Sequence, residues 1–300
     1  MKRLVLAGGV LGLLAGAVVL GDNSKPAKGG SDEAARTAAI RLFQSLDENQ
    51  KKLALKEFDD KERRVEQFPP VERPGLPFDK LTMEQQALAA EAIRAMTSEY
   101  GAERCLAVLK QTGGNRQYLN FFGEPSPGKP FAWRVATHHL TMLYAEFGEA
   151  KSEEFGPVLL GGNPVNQLWD DEEKLAMEFF QSLTEEQKKK VAGHGGSGAP
   201  IGKDGLKIAD LEGKPKDLAK ALLQKRLDVF SADRRRILES LIERDGGMEQ
   251  LKIAVWGDLS KSNRDGGTPN WKIGNDRLLF DWQTAGRNHI HMTVRAKAKA

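Results

Sequence analysis

The sequence predicts an α+β protein built from two degenerate repeats, each with helices followed by a small antiparallel β-sheet. A phrase that opens a helix recurs along the chain, and strand-like segments separated by Pro/Gly-rich connections follow it in both halves. Runs of helices followed by runs of strands are typical of the α+β class. With 300 residues, 40% of them hydrophobic, the chain is long enough to bury a substantial core.

The helix starts are predicted from the repeated phrase. Residues 43–52 and 180–189 agree at eight of ten positions, at an offset of 137. Asp47 and Thr184 occupy the same place in the phrase, and Gln50 and Gln187 follow them by three residues. Such a pair satisfies the free amides of a helix start, because the first side chain accepts from the backbone and the glutamine bonds back. An internal duplication is the simplest explanation of the match.

The strands are predicted from similar correspondences. Residues 121–123 match 255–257 at an offset of 134, and residues 133–135 match 271–273 at an offset of 138, with turn-rich segments between them. Two more strands are predicted in each half, over residues 138–147, 155–160, 277–283 and 289–295. The two repeats are therefore residues 32–165 and 166–300, which we expect to form one compact unit.

The first 21 residues are typical of a secretory signal peptide. Lys2 and Arg3 precede an uncharged apolar run at residues 4–20, and a polar linker over residues 22–31 follows. We therefore expect an exported protein that is periplasmic, held in the cell envelope or extracellular. The small-residue cleavage pattern is imperfect, so an uncleaved N-terminal membrane anchor is the alternative.

Composition and motifs exclude several classes of function. The formal net charge is +3 and falls to +1 without Lys2 and Arg3, which removes the electrostatic basis for binding nucleic acid. The chain contains no phosphate-binding loop of the Gly-x-x-x-x-Gly-Lys-Ser/Thr type, no Gly-x-Ser-x-Gly and no His-Glu-x-x-His. The expected partner is an unknown small molecule or a component of the envelope, with membrane contact only if the N-terminal segment is retained.

Histidines are concentrated in two short stretches. Four of the five in the chain are His138, His139, His289 and His291. Side chains alternate between the faces of a strand, so His289 and His291 share one side and stand about 6.5 to 7 Å apart at their Cα atoms. A third imidazole from another strand would complete a face suited to Zn, Cu or non-haem Fe. We predict His139, His289 and His291 as ligands of one divalent metal.

Several other residues are predicted around these ligands. His138 and His139 would point in opposite directions on a regular strand, so only one of them could join, and we favour His139. Asp281 ends the preceding predicted strand and is a candidate fourth ligand, or an acceptor that orients an imidazole. His138, Arg134, Arg295 and Asn288 are predicted to orient the imidazoles or to anchor a ligand.

A cationic patch is the alternative to a metal site. Arg134 and Arg295, with Lys272 and Arg277, could hold a carboxylate, a sulfate or a sugar acid, because guanidinium groups pair bidentately with such anions. The tryptophans in the predicted sheets fit core packing or the stacking of a ligand. In that case the protein would be a non-catalytic binding or scaffold module of the cell envelope, with an anionic or glycan partner.

The sequence also resembles a known family, the one catalogued as domain of unknown function 3500. The matching phrases extend over roughly residues 35–296 and are residues 73–77, 122–127, 133–134, 138–140, 161–164 and 288–291, with Arg295. The family is named for lacking an assigned activity, so the resemblance implies no catalytic residues and no cofactor. Whether the protein is an enzyme stays open. If it is one, a metal-dependent hydrolase and an oxidoreductase are the available classes.

Overall fold

The structure, a computed structural model, describes residues 30–66, 74–126, 128–148, 153–164, 168–193 and 199–298. These residues form an α+β fold with eight α-helices and one eleven-stranded, mostly antiparallel sheet. The predicted signal peptide and most of the predicted linker lie outside the described residues. Within the described part of the chain, no helix is both long and apolar enough to cross a membrane.

In each half of the chain the helices come before four long strands, and two-residue strands lie between the helices. The helices are α1 (Asp32–Ser45), α2 (Glu48–Ala54), α3 (Met83–Met96), α4 (Glu99–Gln111), α5 (Asp170–Ser182), α6 (Glu185–Val191), α7 (Lys214–Leu227) and α8 (Ala232–Arg244). The strands are β1 (Leu55–Lys56), β2 (Leu76–Pro77), β3 (Tyr118–Phe122), β4 (Phe131–Ala136), β5 (Leu140–Glu146), β6 (Phe155–Gly162), β7 (Leu206–Lys207), β8 (Lys252–Trp256), β9 (Asn270–Gly274), β10 (Leu278–Gly286) and β11 (His289–Ala296).

The two predicted helix starts are confirmed. Asp47 accepts from the amide of Gln50 and Thr184 from that of Gln187, and each glutamine side chain bonds back to the capping residue. Such reciprocal caps satisfy amides that have no partner inside the helix. The local part of the prediction succeeded because a cap depends on residues only three apart.

The strands form one continuous sheet, so the prediction of two small sheets is wrong. Its order is β1-β3-β4-β5-β6-β11-β10-β9-β8-β7, with β2 added beside β3. The last long strand of the first half, β6, pairs with the last strand of the chain, β11, from Gly162 opposite Ile290 to Phe155 opposite Ala296. This pairing removes two exposed edges that would otherwise present unpaired backbone groups. It also brings the two predicted histidine stretches to the same part of the sheet.

The two faces of this sheet differ. One face packs beneath the helices through alternating apolar side chains, among them Trp133, Leu160 and Met292. The opposite face carries buried polar side chains, each no more than 1% exposed, at Asn120, Arg134, Thr141, Lys272, Asp281 and Thr293. Buried polar groups need hydrogen-bond or charge partners. This face therefore resembles the surroundings of a functional site more than it resembles a second hydrophobic core.

Candidate metal centre

Four histidines meet beside the β6–β11 pairing. His138 and His139 lie between β4 and β5, and His289 and His291 lie at the start of β11. One ring nitrogen from each can be chosen so that all four lie within 4.8 Å of one another. His291 is 9% exposed and the other three are half-buried, so the cluster is sheltered but not sealed from solvent.

The distances within the cluster approach those of a metal site. Nε2 of His139 and Nε2 of His289 are 2.8 Å apart, and the ring centroids of the six histidine pairs are separated by 4.3 to 5.5 Å. Four nitrogens bound tetrahedrally to Zn(II) at about 2.1 Å would stand ~3.4 Å from one another. The 2.8 Å separation is shorter than this spacing and the 4.8 Å limit is longer, so the imidazoles would have to rotate to close around one ion.

Strand geometry explains the pair on β11. His289 and His291 are separated by one residue in an extended segment, so both side chains leave the same face, while Ile290 and Met292 point into the core. The preceding turn contains Asn288 with a positive φ of 58°. Asparagine tolerates this conformation better than most residues, which allows the chain to reverse immediately before His289.

A tight turn explains how both His138 and His139 join the cluster, which differs from the expectation that only one would. Thr137 and Leu140 close the turn, with the amide of Thr137 donating to the carbonyl of Leu140 at 2.6 Å. The hydroxyl of Thr137 accepts from the amides of His139 and Leu140, both at 3.1 Å. The two histidines are thus turn residues, and the alternation of a strand does not apply to them.

A glycine allows the two halves of the cluster to meet. His291 pairs with Gly161 of β6, and Leu140 pairs with Leu160 on the other side of that strand, which places His139 beside Gly161 as well. Strands two apart in a sheet are about 9.6 Å from each other, so a side chain between them would separate the imidazoles. A Cβ on Gly161 would lie 3.0 Å from Cδ2 of His139 and 3.3 Å from Cδ2 of His291.

The imidazoles are held in the neutral form that binds metals. Burial, followed by the neighbouring imidazoles, lowers the pKa of both His139 and His291 to about 3. Burial also lowers the pKa of His289, and burial and the nearby His289 lower that of His138. Among the residues that the structure describes, Nδ1 of His138 is buried and has no hydrogen-bond partner. Near neutral pH the cluster therefore offers uncharged ring nitrogens, the state required of a ligand.

Asn263 supports the cluster and was missed by the sequence reasoning. It is fully buried in the loop between β8 and β9, and its side-chain oxygen accepts from the amide of His289 at 2.7 Å. Its side-chain nitrogen donates to the carbonyl of Gly286 at 2.8 Å, and its own amide donates to the carboxylate of Glu173 on α5. Nothing within that loop distinguishes this asparagine from its other polar residues, because the three contacts that link it to the cluster and to α5 lie 23 to 90 positions away in sequence.

The carboxylate of Asp281 lies elsewhere. Among the described residues the group of potential ligands consists of the four histidines, without Asp281. Asp281 is fully buried and lies opposite Thr293, which is two residues beyond His291 on β11. Its carboxylate accepts from the amide of Thr293 at 2.6 Å. Its position beside Lys272 on β9 also fits a charge-compensating role within the sheet.

The predicted cationic anchors hold a segment of the chain. Arg134 is fully buried and donates to the carbonyls of Glu62 and Val65 and to the side chain of Asn120. Arg295 donates to the carboxylate of Glu66 at 3.2 Å. These bonds tether residues 62–66 over the polar face of the sheet, and the role of the two arginines as ligand anchors stays a prediction. Asn288 is placed in the turn, where its amide lies 3.3 Å from the carbonyl oxygen of Asn263.

Three of the four tryptophans in the sheet pack in the core. Trp133, Trp271 and Trp282 are each no more than 1% exposed, and all three belong to the main hydrophobic cluster. Trp256 is half-buried. A glycan would need accessible ring faces for stacking, so the burial of these three side chains favours the core-packing interpretation over the stacking one.

Comparison with known proteins gives one match. The model of a family described as "Protein of unknown function (DUF3500)" matches residues 28–299, which is most of the chain. Neither a curated protein nor a solved structure matches. The match covers both histidine stretches, Gly161 and Asn263.

Proposed function

The chain belongs to the DUF3500 family, whose description assigns no activity, and we propose from its site that it binds one divalent transition-metal ion through His138, His139, His289 and His291. The observation that carries the proposal is the convergence of four ring nitrogens within 4.8 Å from two segments 150 positions apart in the sequence. Three imidazoles already suffice for many metal sites, and here a fourth is within reach.

The chemistry of the cluster supports a metal more than a hydrogen-bonded scaffold. A neutral imidazole has one donor and one acceptor nitrogen, so two facing nitrogens can share a single proton, as Nε2 of His139 and Nε2 of His289 can. Two protons shared pairwise would bridge four such nitrogens with every ring neutral, but among the described residues Nδ1 of His138 is buried without a hydrogen-bond partner, so the cluster is not fully paired in this way. One cation at the centre would satisfy all four nitrogens at once and would relieve the cost of burying the unpartnered Nδ1 of His138.

The donor set suits Zn, Cu or Fe, since imidazole binds all three well. Four neutral ligands leave the full charge of the ion uncompensated, which would lower the pKa of any water bound to it. If all four histidines bind Zn(II) tetrahedrally, the site is closed and has the form of a structural site. If three bind, one position stays open for water or a substrate, and hydrolysis or a redox step at Cu or Fe becomes available.

Metal analysis of untagged protein tests the proposal. Metal-free protein should take up about one equivalent of Zn(II), Cu(II) or Fe(II), measured by elemental analysis and titration calorimetry. The variants His289→Ala and His291→Ala should lose it. His194→Ala is the matched control, because it removes the one histidine of the sequence that is not among the proposed ligands and should leave uptake unchanged. Wild-type protein that takes up none of the three metals after reloading would sink the proposal.

Export is a further part of the proposed function. We propose that the charged start and apolar run of the first 21 residues direct the protein to the periplasm, the cell envelope or the exterior, where it meets a small molecule or an envelope component. N-terminal sequencing of protein recovered from its native cell fractions tests this. A cytoplasmic product that retains Met1 or Lys2 would contradict it.

The two-repeat origin of the chain also stays a proposal. It is supported by the sequence offsets and by the matching helix caps at Asp47 and Thr184. The order of the sheet agrees with it, since β3 to β6 and β8 to β11 run inward from opposite sides to the central β6–β11 pair. On this reading, each repeat contributes one histidine pair to the centre.

A further inference from the structure

Two ligand histidines are anchored through their backbone amides. The amide of His139 donates to the hydroxyl oxygen of Thr137 at 3.1 Å, and the amide of His289 donates to the side-chain oxygen of Asn263 at 2.7 Å. These are the two histidines whose Nε2 atoms stand 2.8 Å apart. Thr137 is 4% exposed and Asn263 is fully buried, so both acceptors are sheltered from competing water.

On the first side, the Thr137 hydroxyl shapes the two-residue turn. It accepts from the amides of both His139 and Leu140 at 3.1 Å, while the Thr137 amide donates to the carbonyl of Leu140. The turn is therefore closed by three hydrogen bonds, all involving Thr137. Loss of the hydroxyl would leave two amides of a buried turn without their acceptor, and the turn carrying both histidines could relax.

On the second side, Asn263 connects three parts of the fold. Its side chain bonds the amide of His289 and the carbonyl of Gly286, its carbonyl faces the amide of Asn288 at 3.3 Å, and its amide bonds the carboxylate of Glu173. The β10–β11 hairpin is thus fastened to the β8–β9 loop and to α5. The position of the His289 backbone is set by residues outside its own hairpin.

We infer that Thr137 and Asn263 are positioning residues of the metal centre, and this inference rests on the proposed metal binding. An imidazole turns only about its two side-chain bonds, so a fixed backbone confines its ring nitrogen to a small region. Metal sites need their ligands placed to about 0.5 Å. Groups that orient ligands typically change metal affinity by about 10- to 100-fold when removed. The two amide anchors supply this placement for His139 and His289.

The test compares Thr137→Val with Thr137→Ser. Valine keeps the shape of threonine without the hydroxyl, whereas serine keeps the hydroxyl without the methyl group. Co(II) affinity is measured by competition with a chromophoric chelator, and the visible absorption of bound Co(II) is recorded, both well below the unfolding temperature. We expect Thr137→Val to lower affinity about 10- to 100-fold and to shift the Co(II) spectrum. Thr137→Ser should behave as wild type.

The outcomes separate the inference from the proposed function. A purely structural role would lower the melting temperature of Thr137→Val but leave the Co(II) affinity and spectrum of the folded protein unchanged, and that result overturns the inference alone. Wild-type protein that binds neither Co(II) nor any of Zn(II), Cu(II) and Fe(II) overturns the metal site itself, and the inference with it. If Thr137→Val does not fold, Asn263→Ala is measured in the same way and tests the inference. The same loss of Co(II) affinity and the same shift of the Co(II) spectrum are expected.

Discussion

Replacement of Gly161 by alanine should disturb the centre without altering any ligand. Gly161 lies in β6 between His139 and His291, and its carbonyl accepts from the indole nitrogen of Trp169 at 2.9 Å. An added Cβ would lie 2.7 Å from the carbonyl oxygen of Ile290 and 3.0 Å from Cδ2 of His139. Ordinary contacts begin near 3.4 Å, so these neighbours must move by several tenths of an ångström.

The expected magnitude follows from what can move. The carbonyl of Ile290 belongs to the β6–β11 ladder, and overpacking against such a rigid neighbour costs about 1–3 kcal/mol of unfolding free energy. The imidazoles of His139 and His291 are pushed apart at the same time. We expect a loss of metal affinity of about 10- to 100-fold, which is the range found when the groups that orient metal ligands are disturbed.

Gly162→Ala is the matched control for this experiment. It adds the same methyl group to the next residue of the strand, on the opposite face, where the nearest atoms are 3.4 Å away on Leu168 and Trp169. Urea unfolding and Co(II) competition should show a clear loss for Gly161→Ala and little change for Gly162→Ala. If Gly161→Ala bound Co(II) with the affinity and spectrum of the wild type, the argument that the imidazoles meet across this glycine would be wrong.

Two further predictions concern stability. The pKa of His139 and His291 is held at about 3, below the ~6.5 of the unfolded chain, so on acidification the unfolded state takes up protons first. The metal-free protein should lose stability as the pH falls from about 6.5 toward 3, by at most about 1.4 kcal/mol per pH unit for each histidine. Urea unfolding between pH 7 and pH 4.5 checks this, and a flat profile would contradict it. Arg226 and Glu172 form a fully buried ion pair. Arg226→Leu alone would leave the Glu172 carboxylate buried without this partner and should lower the free energy of unfolding by about 3–5 kcal/mol. The double variant with Glu172→Leu should recover most of that loss, and a double variant as unstable as the single one would refute the explanation.

Some parts of the fold depend only on residues that are close together in the sequence. The helix starts at Asp47 and Thr184 could be predicted because a cap involves residues three apart. The long strands could be located from their alternation and from the turn residues between them. Whether eight such strands make two sheets or one depends on the pairing of β6 with β11, residues 155–162 with residues 289–296, and no local pattern specifies that pairing.

For the candidate site, the sequence alone determined which side chains were chemically unusual and that His289 and His291 share a face, because alternation in a strand is a local property. Tertiary structure decided the rest. It placed His138 and His139 in a two-residue turn, brought them to β11 across the space left by Gly161, and anchored the cluster through Asn263. The physical reason is that these contacts depend on the register of the sheet and on the absence of a Cβ at Gly161, between strands that are far apart in the sequence. Neither the composition nor the spacing of residues along the chain specifies these features.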